Sequence, residues 1–120
     1  MASIPPVLLR KLYVANSLKN EADAFVFCLQ NQIADGMVAG LSRLVVDGEE
    51  RALEGITMLV GTEARAACDL SGDSPLAFAV GTVATVRVPG TLPPGEHTIE
   101  VAVNTREIGP LVFPVIDTVA

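Results

Sequence analysis

His97-Thr98-Ile99-Glu100-Val101-Ala102-Val103-Asn104 is the stretch on which the fold turns. Ile99, Val101 and Val103 fall on one side of an extended chain, and Thr98, Glu100 and Asn104 on the other. That period of two belongs to a strand with one face in a core and one in water. Residues 82–88, Thr-Val-Ala-Thr-Val-Arg-Val, alternate in the same way, and Pro89-Gly90-Thr91-Leu92-Pro93-Pro94-Gly95 lies between the two runs. The expected product is an antiparallel pair joined by a proline-stiffened loop, with Gly90 and Gly95 supplying any positive φ.

Working outward, Leu44-Val45-Val46-Asp47-Gly48-Glu49-Glu50-Arg51 predicts a second pair, because Asp-Gly between extended segments suits a type I′ turn. The strand before that turn begins near Met37, and the return strand is short. In Ala24-Phe25-Val26-Phe27-Cys28-Leu29-Gln30 the alternation fails: Phe25, Phe27 and Leu29 fill one face, and Val26 and Cys28 make the other apolar too. Such a strand is hidden on both sides or meets another chain. Runs at 7–14, 56–60, 65–70, 76–80 and 111–119 complete the set, and Pro110 and Pro114 assign the last to an edge or a bulge. Residues 49–59 and 63–70 contain helix formers and are the candidates for a short helix. The sequence thus predicts an all-β chain, a single domain over 1–120, folded as an antiparallel β-sandwich of about eight or nine short strands.

The chain has 120 residues with 8 Lys and Arg against 14 Asp and Glu, a net charge of −6. An acidic chain without a basic cluster is a poor partner for phosphate, which argues against nucleic acid and anionic membrane surfaces. No apolar run reaches the roughly 18 residues of a spanning helix. No basic region precedes the first apolar residues, so no secretory signal is visible, and a cytoplasmic location with Cys28 and Cys68 as reduced thiols is expected. The mean hydropathy of +0.47, with only 18% charged residues, implies apolar surface that meets another chain.

His97 is the only imidazole, and no CxxC, HExxH or His-x-His spacing accompanies it. Next to Glu96 it reads as a strand-end histidine, ahead of a catalytic pair with Cys28 or Cys68. The carboxylates gather in turns, where they accept backbone hydrogen bonds and keep the surface wet. No catalytic residue, cofactor ligand or metal ligand is assigned in this chain. For contact with a partner, the candidates are Leu9 and Tyr13 near the start, Val26 and Cys28 on the two-sided strand, and Arg106, whose planar fork suits a carboxylate.

Three stretches in order, residues 9–20 (Leu-Arg-Lys-Leu-Tyr-Val-Ala-Asn-Ser-Leu-Lys-Asn), Leu44-Val45-Val46-Asp47-Gly48-Glu49, and Val86-Arg87-Val88 through Leu92-Pro93-Pro94-Gly95-Glu96-His97-Thr98-Ile99-Glu100-Val101, resemble the small β subunit of bacterial C-glycoside deglycosidases. The resemblance implies an accessory β-sandwich subunit of a hetero-oligomeric lyase. Its partner would be a larger barrel-type α subunit holding a divalent metal such as manganese and cleaving the carbon–carbon bond of a 3-keto C-glycoside by elimination. It carries no catalytic residue onto a numbered position, and residues 31–37 lack the aromatic side chains the family pattern suggests. Two other readings stand beside it: a homo-oligomeric β-sandwich that binds or scaffolds without catalysis, and a hydrolase using His97 with a cysteine.

Overall fold

The structure is a computed structural model, and it describes residues 6–33, 35–107 and 109–120. The chain opens with a one-turn helix α1 (Pro6–Leu9) and a 3-10 turn (Arg10–Leu12). Ten strands follow: β1 (Lys19–Glu21), β2 (Ala24–Gln30), β3 (Gly36–Val46), β4 (Glu49–Glu50), β5 (Thr57–Val60), β6 (Glu63–Ala66), β7 (Leu76–Phe78), β8 (Val83–Pro89), β9 (Gly95–Thr105) and β10 (Gly109–Val119). They form two antiparallel sheets. One has the order β1-β2-β8-β5-β6; the other runs β10-β9-β3-β4, with β7 also paired to β3. Together they make the expected β-sandwich.

The core lies between the sheets. Phe25 and Phe27 from β2 are fully buried, as are Met58, Val86, Leu44, Ile99, Val101 and Phe113 from both sheets. Each such side chain contributes roughly 1.5–3 kcal/mol by leaving water. The longest ladder joins β9 to β10 without a break, from Gly109↔Thr105 to Val119↔Gly95. β3 pairs with β9 less evenly, with register shifts between Val38 and Gly40 and between Leu41 and Arg43. Such bulges bend the strand over the core. The turn at Asp47-Gly48 is the expected type I′, with φ of 52° and 82° at its two central residues and Val46 opposite Glu49. β10 forms one edge of its sheet, as its prolines require.

Three sequence expectations need correction. β8 and β9 do not pair with each other. β8 is bonded to β2 and β5, and β9 to β3 and β10, so both edges of each strand are taken and residues 89–95 arch from one sheet to the other. Residues 7–14 are not a strand: α1 and the 3-10 turn occupy most of them, with Pro6 at the first helical position, where its missing N–H costs nothing. The run at 65–70 splits, since β6 ends at Ala66 and a 3-10 turn covers Ala67–Asp69. β1 has no sequence signature, being exposed at every residue, and owes its conformation to pairing with β2.

Candidate functional site

The two ends of the sandwich differ. At one end the 89–95 arch closes the gap between the sheets. Leu92, 4% exposed, plugs the core there. The Asn20 side chain holds it by a reciprocal pair, Nδ2 donating to the Leu92 carbonyl and Oδ1 accepting from the Leu92 N–H, both at 2.8 Å. His97 completes the closure. Its Nδ1 is 2.6 Å from Asp47 Oδ2 and its Nε2 is 2.8 Å from the Pro93 carbonyl. Both partners accept, so the doubly protonated ring, donating from each nitrogen, satisfies both contacts. The Asp47 hydrogen bond raises the His97 pKa above its ordinary value, and the Pro93 carbonyl adds to the effect. Conversely the His97 hydrogen bond, helped by the Thr98 N–H, lowers that of Asp47.

A second buried polar set ties the N-terminal segment to β10. The Tyr13 hydroxyl donates to Asp117 Oδ2 at 2.6 Å, the Leu18 N–H donates to the same oxygen, and the Thr118 N–H donates to Oδ1. Burial opposes the charge on Asp117, but these donors outweigh it and hold its pKa below the usual carboxylate value. Burial pushes the Tyr13 hydroxyl pKa up, and the neighbouring carboxylate adds to that. In both sets the titratable groups are consumed by holding the chain together. His97 touches neither cysteine: the Cys28 thiol lies 3.6 Å from Thr85 Oγ1, and Cys68 is exposed.

At the opposite end the sheets part around a cavity of about 220 Å³. Leu29, Met58 and Val60 line it from one sheet, and Met37, Leu111 and Phe113 from the other. Among the described residues, the polar members of the lining are Asn31, Asp35, Thr105 and Glu107. Asn31, 6% exposed, fixes the exit of β2: its Nδ2 donates to the Phe78 carbonyl at 2.6 Å and its Oδ1 accepts from the Ile33 N–H. Asp35 Oδ1 accepts from the Val80 N–H at 2.8 Å, and Glu107 Oε1 from the Met37 N–H at 3.0 Å. The arrangement is an apolar slot with two carboxylates, each spending one oxygen on the backbone. Nothing in the sequence pattern announced it, because its walls come from strands whose inward residues look like any other core. Among the described residues, no group of three or more His, Cys, Asp or Glu side chains is placed to hold a metal.

The residues singled out for partner contact are dispersed. Leu9 is 6% exposed and packs in the core. Val26 is 3% exposed although it points away from the core; its cross-strand neighbours Lys19 and Arg87 flank it on that face, and Arg87 reaches Glu21 and Asp23. Tyr13 and Cys28 are half-buried and close together, since the Val14 N–H bonds to the Cys28 carbonyl and Tyr13 bridges to Leu29. Arg106 is exposed at the β9–β10 turn, its N–H donating to the Met37 carbonyl.

Comparison with known proteins gives one family. The family model described as Hydroxymethylglutaryl-CoA reductase, N-terminal domain, matches residues 8–120, nearly the whole chain. No curated protein matches it. The family match overturns the resemblance to the C-glycoside deglycosidase small subunit and the lyase chemistry attached to it. The stretches behind that resemblance are generic sandwich chemistry: Val46-Asp47-Gly48-Glu49 forms a type I′ turn, Pro94-Gly95-Glu96-His97 opens β9, and residues 9–20 hold a short helix and a polar edge strand. The barrel-type partner and its divalent metal rested on that resemblance alone.

Proposed function

The chain belongs to the hydroxymethylglutaryl-CoA reductase N-terminal domain family, and from that premise we propose that it is a docking module of a reductase-type assembly that performs no chemistry of its own. The observation that carries this reading is the use made of the ionisable groups whose pKa values are shifted. His97 and Asp47 fasten the arch, and Asp117 fastens the N-terminal segment, so that each group with a shifted pKa is locked by backbone or side-chain partners. A group poised for proton transfer or nucleophilic attack needs an uncommitted face toward substrate. The exposed apolar residues Val112 and Ile116 of β10, 50% and 64% exposed, alternate with core residues on the outer side of the sandwich and supply surface for contact. No helix among the described residues is long and apolar enough to cross a membrane. We place the module in the cytoplasm, where Cys28 and Cys68 remain free thiols.

The test is co-expression with the catalytic portion of a hydroxymethylglutaryl-CoA reductase from the same genome, followed by native mass measurement. A stable complex heavier than either component is expected, and Ile116→Asp should dissociate it while leaving the 12.5 kDa chain folded. A chain that stays solitary in the presence of that portion overturns the reading. The same exposed residues favour a second reading, a symmetric homo-oligomer that scaffolds without catalysis. A mass at an integer multiple of the chain, unchanged by the reductase portion, would select it.

A further inference from the structure

We propose that the slot between the sheets is a binding site for a small amphiphilic cation, with an apolar ring or branched chain inside and a protonated amine at the mouth. The site lies apart from the Val112 and Ile116 surface and does not depend on the docking reading.

Size fixes the body of the ligand. An apolar cavity of about 150 Å³ in another protein stays dry and takes benzene. The present cavity of about 220 Å³ therefore accommodates a six-membered ring with a short arm. Its inner walls are Leu29, Met58, Val60, Leu111 and Phe113, which give a polar head nothing to bond to. An entering molecule must leave that head outside, in the manner of ligand sites that bury an apolar body and orient it with a few polar groups.

Charge fixes the head. Asp35 and Glu107 are the ionisable lining residues, both acidic. Asp35 Oδ1 and Glu107 Oε1 are engaged by backbone N–H groups, which holds each exposed carboxylate beside the cavity with one oxygen bound to the backbone. Arg106, next to Glu107 in sequence, is exposed and is not part of the lining. An ammonium at this mouth meets two carboxylates in a chain that already carries −6, whereas a carboxylate-headed ligand of the same shape is repelled. Thr105 and Asn31 add neutral polar lining at the same end.

The experiment uses the 120-residue chain with three probes of one shape: cyclohexylmethylamine, cyclohexylmethanol and cyclohexanecarboxylate. Binding is followed by calorimetry and by the methyl signals of Met37 and Met58, two methionines in the cavity wall. The amine should shift both methyl signals and bind at least about tenfold more tightly than the carboxylate, with the alcohol between them. Asp35→Asn combined with Glu107→Gln should bring the amine down to the affinity of the alcohol and leave the alcohol unchanged. Both positions are exposed and each replacement keeps an acceptor oxygen for its backbone N–H, so the variant is expected to fold, and an unchanged alcohol affinity confirms an intact slot. No shift at Met37 and Met58 with any probe at millimolar concentration overturns the site. Equal affinity for amine and carboxylate overturns the cationic head. Neither result bears on assembly, which the mass measurement decides separately.

Discussion

The closed and open ends of this sandwich are built from the same strands, yet at one end an arch and a buried plug fill the gap between the sheets, while at the other the gap stays open beside a side-chain bridge. At the closed end, Leu92 fills the space, Asn20 brackets it, and His97, bonded to both Asp47 and the Pro93 carbonyl, ties the arch to the β3–β4 turn. At the open end Asn31 reaches from the exit of β2 to the Phe78 carbonyl of β7, Asp35 and Glu107 pin loop segments, and the walls stay apart around the cavity. The difference teaches where a small sandwich stores rigidity: in side chains that fill the gap between the layers, beyond the ladders within each sheet.

Matched truncations should expose that difference most strongly. Phe25→Ala removes a fully buried ring at the closed end, with the Arg51 guanidinium 5.7 Å above it, and should cost about 3–5 kcal/mol in urea unfolding. Phe78→Ala, at a half-buried ring beside the existing cavity, should cost under about 2 kcal/mol, because less transfer free energy is lost and little new void is made. Equal costs would break the comparison. Next in size is Tyr13→Phe, which deletes one hydrogen bond to the buried Asp117 carboxylate while Leu18 and Thr118 still donate; a loss of about 1.5–3 kcal/mol is expected.

The dependence on pH sharpens the comparison, because the raised pKa belongs to the closed end. The folded-state pKa of His97 is raised, so its contribution is complete below its unfolded value of about 6.5 and is lost as pH climbs through the raised value. The Asp47 hydrogen bond sustains it, while the charge of Arg51 opposes it. Asp47 and Asp117 are lowered, so their contributions are complete above about pH 4 and disappear as pH falls through the depressed values. Urea midpoints should therefore be highest between these limits and decline on both sides. His97→Gln should flatten the alkaline decline and leave the acid decline that Asp117 carries. An unchanged alkaline profile in that variant would remove the imidazolium from the closure. The smallest effect is expected at Arg43→Ala, on the outer face away from both ends. There a 2.6 Å pair with Glu100 is largely exposed and should contribute less than about 1 kcal/mol.

Much of the fold was legible because the signals were local. The alternation in 97–104, the two apolar faces of Ala24–Gln30 and the Asp-Gly turn each state a backbone requirement within a few residues, and the structure meets all three. Residues 7–14 misled because a short apolar run has no length over which a period of two can be told from one of 3.6. The adjacency of β8 and β9 misled for another reason. Chain order favours a hairpin, but each strand already has two bonded neighbours, which only the full sheet order reveals.

The candidate site was illegible in the same physical sense. Asp47 and His97 stand fifty residues apart and meet because β3 pairs with β9 at Val46↔Ile99, a register no local pattern encodes. Tyr13 and Asp117 come together from opposite ends of the chain. Asp35 and Glu107 belong to no motif in the sequence, and the slot they border exists only where inward residues of two sheets fail to touch.

The prolines of β10 carry a consequence of their own. An edge strand eleven residues long, bonded along its whole length to β9, would ordinarily offer its outer rim as a template on which strands from other molecules polymerise. Pro110 and Pro114 have no N–H to give, and their rings interrupt the row of donors that fibril growth requires. The rim can lie against a partner through its side chains, but it is ill suited to recruiting further strands by backbone pairing.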